Sequence, residues 1–186
     1  MRIIGGTLRG RTLAAPSDDA IRPTSDRVRE AILNWLLHGD PVARIDGGRV
    51  IDLFAGTGAM GIEALSRGAT FCLLVDDSAA SRGLIRRNIE AFGLTGVTKV
   101  WRRDATDLGD ATTMQPFDVA FLDPPYGKGL GEKALAALAA GGWLVPDALC
   151  VLEERKDVKI AVPDRYDVID RREWGDTQAV LLRFAG

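Results

Sequence analysis

The sequence predicts an α/β protein built around one sheet of about seven strands, mostly parallel and with an antiparallel edge. From residue 49 onward, short apolar runs of strand length alternate with segments of helical periodicity. Such an alternation produces right-handed crossovers and a parallel sheet that helices cover on both faces. The chain closes with two runs of strand-forming residues on either side of Gly175-Asp176, a pattern typical of a hairpin.

The elements follow one another in a regular order. Residues 1 to about 15 have glycines between short β-branched pieces and predict a small hairpin. A helix then begins with Thr24 or Ser25 as its N-cap, and its apolar residues recur at i, i+3, i+4, i+7 and i+8. The sequence predicts strands over 50–54, 71–75, 97–102, 117–122, 148–153, 166–172 and 177–184, and further helices over 59–67, 79–92 and 131–140.

The size of the chain predicts a single domain, residues 1–186, in which an N-terminal hairpin-helix extension over 1–40 precedes a core over 48–186. Its 46% of hydrophobic residues are sufficient for one core. The longest apolar runs are far shorter than the roughly 20 residues of a membrane helix. Glycine and arginine interrupt the N-terminus before the apolar region of a signal peptide can form. We expect a cytoplasmic protein with no membrane partner, and a monomer.

Cysteine and histidine are too scarce for a disulfide framework or a metal site. Cys72 and Cys150 lie within apolar runs, so we expect both to be reduced and buried. The single histidine, His38, precedes Gly39, which is ordinary at a helix C-terminus. We expect no metal centre, because the chain has neither a Cys-x-x-Cys pair nor a second histidine.

Positive charge is concentrated near the N-terminus. Residues 1–29 carry a net charge of +3 and the rest of the chain −5, for a total of −2. The overall balance argues against binding naked nucleic acid through bulk electrostatics. The N-terminal arginines can nevertheless contact phosphates, although a solvated helix and hairpin face would explain the same charges. The candidate RNA-binding residues are Arg9, Arg11, Arg22 and Arg27.

A glycine-rich turn joins the first predicted strand of the core to the next helix. Gly56 and Gly58 allow the backbone to turn tightly and approach a ligand, and the helix that follows offers free N–H groups. The segment also satisfies the spacing G-x-G-x-x-G, and Asp76 lies 20 residues beyond Gly56, where an acid would bind a ribose. This spacing fits a nicotinamide cofactor and S-adenosylmethionine equally well.

A second motif, Asp123-Pro124-Pro125-Tyr126, follows the predicted strand over 117–122. The two prolines fix the backbone and remove two N–H donors, so that carbonyl oxygens and the Asp123 carboxylate remain as acceptors. An aromatic ring stands next to them. We expect this loop to face the glycine loop, because ligands lie beyond the carboxyl ends of parallel strands. Its groups suit a flat molecule that carries an amino group.

Together these motifs resemble class I S-adenosylmethionine-dependent amino-methyltransferases, which have a Rossmann-like fold. More narrowly, the N-terminal part of the chain resembles the RsmD family. The resemblance lies in Arg2-Ile-Ile-Gly-Gly, in the run from Arg22 through Ala31, and in Asn34-Trp-Leu. That family methylates the exocyclic N2 of a guanine in 16S ribosomal RNA. The resemblance covers essentially the whole chain, and its N-terminal block is the specific part. It implies a 16S rRNA substrate, and the acidic overall balance favours small-subunit particles over free RNA.

The resemblance also implies roles for individual residues. Segment 52–58 surrounds the methionine end of S-adenosylmethionine, Asp76 binds its ribose, and Asp104 meets its adenine amino group. The pair Asp76-Asp77 departs from relatives, which often have one acid followed by a basic residue, so either carboxylate is a candidate for the ribose. The implied cofactor-binding residues are Asp52, Phe54, Ala55, Gly56, Thr57, Gly58, Asp76, Asp104 and Ala105, and the implied catalytic residues are Asp123, Pro124, Pro125 and Tyr126.

Three other functions fit parts of the sequence. An amino-methyltransferase with another substrate, either adenine N6 in DNA or RNA or a glutamine side chain, shares the glycine loop and Asp-Pro-Pro-Tyr. A nicotinamide-dependent oxidoreductase shares the glycine loop alone, and explains neither Asp-Pro-Pro-Tyr nor the N-terminal arginines. A non-catalytic RNA-binding or assembly protein would not require the acids at 76, 104 and 123.

Overall fold

The computed structural model describes residues 1–17 and 26–186. Within them one sheet has the strand order β3-β2-β1-β4-β5-β7-β6. All neighbouring strands are parallel except β7, which pairs antiparallel with both β5 and β6. The strands are β1 (Arg49–Leu53), β2 (Phe71–Val75), β3 (Thr98–Trp101), β4 (Phe117–Leu122), β5 (Leu144–Arg155), β6 (Tyr166–Trp174) and β7 (Thr177–Phe184). The predicted fold class is confirmed.

Four α-helices cover the described part of the sheet. They are α1 (Asp26–His38), α2 (Ala59–Ser66), α3 (Ala79–Ala91) and α4 (Leu130–Ala140). Each of the three core helices begins and ends within one residue of its predicted bounds. The predicted N-cap residues Thr24 and Ser25 lie outside the described residues, as does Arg22. Among the described residues, no helix combines the length and the apolar character needed to cross a bilayer.

Strand β5 differs most from the prediction, because it begins at Leu144 and not at 148. Its first residues include Pro146, which weakens the strand signal of the sequence. The structure accommodates them in an irregular stretch, where the pairing with β4 shifts between Phe117 and Val119 and Asp147 adopts a φ of 64°. A bulge tolerates proline, since a residue there need not donate to the ladder.

Two apolar layers lie on opposite faces of the sheet, as the alternation of strand side chains requires. One layer contains Ile51 and Leu53 of β1 and packs against α4, whereas the other contains Val50 and packs against α1, α2 and α3. Cys72 and Cys150 are free and completely buried, as predicted, and burial raises the pKa of both thiols.

The N-terminal residues 1–14, which we name the N-terminal strap, fold back on themselves. The N–H of Ile3 donates to the carbonyl of Arg11, and the ends pair through one antiparallel bridge between Arg2 and Thr12. The chain therefore reverses direction as predicted for a hairpin, but a 3-10 turn over Gly6–Leu8 replaces the regular strands. Gly6 has a φ of +75°, and a Cβ there would lie 1.8 Å from the carbonyl oxygen of Ser66, so the strap lies directly on the end of α2.

A buried ion pair joins the strap, α1 and α2. The carboxylate of Glu63 accepts hydrogen bonds from the backbone N–H of Ile4 at 2.6 Å and from Nε of Arg29 at 3.4 Å. Arg29 also donates to the carbonyl of Arg2. The side chains of Glu63 and Arg29 are both completely buried. Because neither charge has access to water, the pair depends on its charged and polar partners, which include Asp26 at 3.0 Å from the Arg29 guanidinium.

Replacing Glu63 by glutamine removes the buried counter-charge of Arg29, which then keeps only its ion pair with the half-exposed carboxylate of Asp26. We expect Glu63→Gln to lower the free energy of unfolding by about 3 kcal/mol, measured by urea denaturation. Glu90→Gln, which removes an exposed carboxylate from α3, is the matched control and is expected to change stability by less than about 0.5 kcal/mol. Equal effects of the two substitutions would contradict the role of the buried pair.

Candidate active site

The candidate site lies where the strand order reverses, between β1 and β4. Parallel strands end at the same edge of the sheet, so the segments that follow β1, β2 and β4 meet there. Ligands of open α/β sheets bind in the crevice outside this carboxyl edge. The structure therefore brings together the predicted glycine loop, Asp76 and the Asp-Pro-Pro-Tyr segment.

The glycine loop after β1 has an unusual backbone. Gly56 and Gly58 adopt φ angles of 60° and 80°, a left-handed conformation that residues with a Cβ rarely adopt, and Gly58 is the N-cap of α2. Gly61 serves close packing, because a Cβ there would lie 2.7 Å from Sγ of Cys72. Phe54 also has a positive φ, of 58°, which the sequence alone did not indicate. Such strain in a non-glycine residue is common at ligand-binding sites.

Asp76 lies between the glycine loop and the start of α3. Its Oδ2 accepts a hydrogen bond from the N–H of Gly56 at 2.9 Å, and its Oδ1 accepts one from the N–H of Ser78 at 2.9 Å. An ionised carboxylate has about four acceptor positions, so it can also accept from two hydroxyl groups. Asp77 is exposed, whereas Asp76 is half-buried. The geometry favours Asp76 over Asp77 as the acid built into the site.

A small cavity opens beside Asp76 at the ends of β2 and β3. Oδ1 of Asp104 accepts hydrogen bonds from the N–H and the hydroxyl of Thr106, at 2.8 and 2.7 Å. These bonds lower the pKa of the Asp104 carboxyl and so favour its ionised form. Arg103 also lines the cavity, with its guanidinium 4.4 Å from the Trp101 ring, and sequence reasoning missed it. The lining residues are Phe54, Val75, Asp76, Asp77, Arg103, Asp104 and Ala105.

Asp52 is at the end of β1, beneath the glycine loop. It is 4% exposed, and its Oδ2 accepts from the N–H of Gly61 at 2.9 Å. Burial raises the pKa of this carboxyl well above its usual value of 3.8, and the charges of Asp123 and Asp76 raise it further. The three carboxyl groups therefore interact electrostatically. The charges of Asp76 and Asp123 create a region of negative potential that attracts a cationic ligand.

The Asp-Pro-Pro-Tyr loop extends from the end of β4. Asp123 and Tyr126 are half-buried, Pro124 is buried and Pro125 is exposed. Burial and the charge of Asp123 raise the pKa of Tyr126 to about 12, so its phenol stays neutral, and it forms a side-chain hydrogen bond with Thr177 of β7. The backbone N–H of Gly127 donates a hydrogen bond of 3.0 Å to the side-chain Oε1 of Glu154. This bond connects the loop to β5.

Asn88 of α3 connects the N-terminal strap to the glycine loop, and sequence reasoning missed it. Its Oδ1 accepts from the N–H of Ala14 at 2.7 Å, and its Nδ2 donates to the carbonyls of Ala14 and Thr57 at 3.2 and 3.0 Å. The side chain is 1% exposed. One buried amide thus fixes both the end of the strap and the middle of the loop.

The structure separates the predicted RNA-binding arginines. Arg9 in the strap and Arg27 at the start of α1 are exposed. Arg11 lies over the Phe92 ring at 4.6 Å and donates to the carbonyl of Ala91 at 2.8 Å, so it also stabilises the C-terminal end of α3. Arg22 lies outside the described residues.

A sheet of this order, with its reversal point between a glycine loop and an Asp-Pro-Pro-Tyr loop, places the chain among the Rossmann-like class I methyltransferases. More narrowly, the chain belongs to the family described as conserved hypothetical protein 95, whose match covers residues 1–183, and to that of ribosomal RNA small subunit methyltransferase D. The family resemblance predicted from the sequence is confirmed, and with it the enzyme class, a methyltransferase.

The similarity to these relatives extends over most of each chain. Ribosomal RNA small subunit methyltransferase D of Haemophilus influenzae is 33% identical over 177 residues, 94% of this chain and 89% of its own. Its namesake in Escherichia coli K12 is 40% identical over 154 residues, 82% and 74% of the two chains. The solved structure of the Escherichia coli protein yhhF superposes with a TM-score of 0.83 at 32% identity, covering 100% of this chain and 98% of that one.

The buried carboxyl of Asp52 makes stability depend on pH. Because its pKa in the folded protein lies above the value in the unfolded chain, the wild type loses stability as the pH rises above 3.8 towards the native pKa. Asparagine can accept the bond from Gly61 without ionising. We expect Asp52→Asn to gain stability relative to the wild type as the pH increases, measured by thermal unfolding at several pH values without ligand.

Asp110→Asn is the control for this experiment, since Asp110 is exposed. Its stability should follow that of the wild type at every pH. A constant difference between Asp52→Asn and the wild type across the pH range would refute the idea that folding raises the pKa of Asp52.

Proposed function

We propose that the chain transfers a methyl group from S-adenosylmethionine to the exocyclic N2 of a guanine in 16S ribosomal RNA of the small subunit. The observation that carries this proposal is the Asp-Pro-Pro-Tyr loop at the carboxyl end of β4, beside β1 and its glycine loop. The names of the curated relatives, ribosomal RNA small subunit methyltransferase D, support the choice of RNA.

The residues at the carboxyl edge fit S-adenosylmethionine. The left-handed glycines bring backbone close to a ligand, and the charges of Asp76 and Asp123 suit its positive charge. We assign the methionine end to residues 52–58, the ribose hydroxyls to Asp76, and the adenine to Asp104 with Phe54 and Ala105 in the cavity wall. When bound, this cofactor supplies an electrophilic methyl group on a sulfonium.

The protein groups around the target amine perform a positioning and electrostatic role. An amine attached to a base is a poor nucleophile, because its lone pair is delocalised into the ring. The Asp123 carboxylate and the Pro124 carbonyl accept hydrogen bonds from its N–H groups, which localises the lone pair and stabilises the positive charge that develops. Pro125 restricts the loop, and the Tyr126 ring provides a face for a base that has left its stack.

The N-terminal extension over 1–40 supplies contacts to the RNA, and the core over 48–186 binds the cofactor and performs methyl transfer, within one domain. Arg9 and Arg27 are exposed and suited to phosphates, and Arg11 presents a guanidinium on the surface of α3. We include Arg22 in this set on the strength of the family motif. The enzyme acts as a cytoplasmic monomer. Its substrate is the small-subunit particle, because a net charge of −2 favours a structured ribonucleoprotein over free RNA.

Labelled S-adenosylmethionine tests the proposal directly. The enzyme is offered free 16S ribosomal RNA, small-subunit particles from cells that lack its gene, and DNA, and the methylated nucleoside is identified by mass spectrometry. We expect N2-methylguanosine at one position, formed on particles in preference to free RNA. N6-methyladenosine as the product would overturn the proposed substrate. Stabilisation by NAD in place of S-adenosylhomocysteine would overturn the proposed cofactor.

Asp76 and Asp77 provide a matched pair for testing the cofactor site. We expect Asp76→Ala to weaken S-adenosylhomocysteine binding by about ten- to a hundredfold, because a charged acceptor of the ribose hydroxyls is lost. Asp77→Ala removes the same charge one residue away and is expected to bind almost normally. Isothermal titration calorimetry measures both. The reverse order of affinities would assign the ribose to Asp77.

Asp123 is expected to act on the target amine. Asp123→Ala should reduce the rate constant of methyl transfer at least a hundredfold in single-turnover methylation of small-subunit particles. Its affinity for the cofactor should change little. Asp110→Ala, which removes an exposed carboxylate, is the control and should retain full turnover. A near-normal rate constant in a folded Asp123→Ala enzyme would show that the proposed clamp on the amine is wrong.

A further inference from the structure

An open groove of about 510 Å³ lies between α1 and the edge strand β6, outside the site described above. Its volume is within the range of about 300–1,000 Å³ that is typical of small-molecule pockets. One wall is a single face of α1, with residues at i, i+3, i+4 and i+7, and the other wall comes from alternate residues of β6. The lining residues are Ala31, Asn34, Trp35, His38, Gly39, Arg172 and Trp174.

The groove contains a planar stack built on a tryptophan. Trp35 is 4% exposed and contacts Trp174 edge-to-face, with ring centroids 6.3 Å apart. The guanidinium of Arg172 lies over the Trp35 ring at 4.7 Å, and its side chain is 47% exposed. A stacked guanidinium whose other face reaches solvent is a platform on which an unpaired nucleobase can lie.

Polar groups stand beside this platform. Asn34 and His38 are exposed on successive turns of α1, and within the described part of the chain neither side chain forms a hydrogen bond. An amide and an imidazole can both form hydrogen bonds with the edge of a base. Arg172 already has a counter-ion, because its Nε is 3.4 Å from Oδ2 of Asp170. The groove is therefore better suited to a base than to a phosphate.

One end of the groove leads to the catalytic loop. Trp174 pairs with Thr177 across the β6–β7 turn, and Thr177 forms the side-chain hydrogen bond with Tyr126. Strands in a sheet are about 4.8 Å apart, so the groove begins within two strand widths of the Asp-Pro-Pro-Tyr loop. A nucleotide adjacent to a base at Tyr126 is therefore within reach of Trp174.

We propose that this groove, which we name the α1–β6 groove, binds an unpaired nucleotide next to the target guanine, with its base stacked on Arg172 and its edge bonded to Asn34 and His38. The inference rests on the proposed function, since it assumes that the substrate is RNA. It adds a second base-binding site to the enzyme. Recognition of the RNA then depends on a base as well as on phosphate contacts by the N-terminal arginines.

The strand offers a matched control for Arg172. Arg171 is exposed and carries the same charge, but it pairs with Val180, whereas Arg172 pairs with Ala179. Val180 and Ala179 belong to the apolar layers on opposite faces of the sheet, so Arg171 points away from the groove. Arg172→Lys is a second informative variant, because lysine keeps the charge and lacks the planar group that stacks.

The test compares Arg172→Ala, Arg172→Lys, Asn34→Ala and Arg171→Ala with the wild type. On unmethylated small-subunit particles we expect both Arg172 variants to raise KM about tenfold with kcat and S-adenosylhomocysteine affinity unchanged, as is typical for the loss of one stacked base. Asn34→Ala should raise KM less, and Arg171→Ala should not. A normal KM in Arg172→Lys alone would indicate a phosphate contact and overturn the proposal. An unchanged KM in both Arg172 variants would also overturn it.

A binding measurement separates this proposal from the proposed function. Fluorescence anisotropy with a labelled single-stranded oligouridylate reports occupation of the groove without methyl transfer. We expect the two Arg172 variants to weaken binding and Arg171→Ala to leave it unchanged, even where no methylated guanine forms. Weaker action on particles together with unaltered oligonucleotide binding would assign the groove to a ribosomal protein and overturn the RNA assignment.

Discussion

The reversal of strand order between β1 and β4 is the constraint on which the site depends. Strands that run side by side in the same direction must release their chains at one edge, and the helices that follow β1 and β4 leave on opposite faces. A crevice therefore opens between two loops that are about 70 residues apart in the sequence. The groups of the candidate active site, from the left-handed glycines to the Asp-Pro-Pro-Tyr loop, all lie along that crevice.

A few buried polar side chains connect the N-terminal strap to this frame. Glu63 binds the strap and Arg29 of α1, while Asn88 binds the strap and Thr57 of the glycine loop. Buried polar groups of this kind have few alternative partners, so their geometry is well defined. The loop that we assign to the cofactor and the extension that we assign to RNA are thus parts of one hydrogen-bonded unit.

The sequence predicted those features that have a local signature. Alternating periodicity predicted the sheet and its helices, and the two motifs predicted which loops meet at the carboxyl edge. It did not predict Glu63 or Asn88, because a polar residue on a helix has the same local pattern whether it faces solvent or a strap 59 or 74 residues away. Strand β5 was too short in the prediction, since a bulge that admits Pro146 depends on its partner strand.

The docking of the N-terminal strap constrains the order in which the chain can fold. The strap is synthesised before its partners Glu63, Ser66 and Asn88, which follow 58 to 74 residues later. At typical translation rates of 5–20 residues per second, the strap waits roughly 4–15 s before Asn88 has been added. During this interval the nascent chain exposes apolar residues, such as Ile3 and Leu13, that the folded protein covers. The strap therefore acquires its native contacts only once α2 and α3 are available, although it precedes both in the chain.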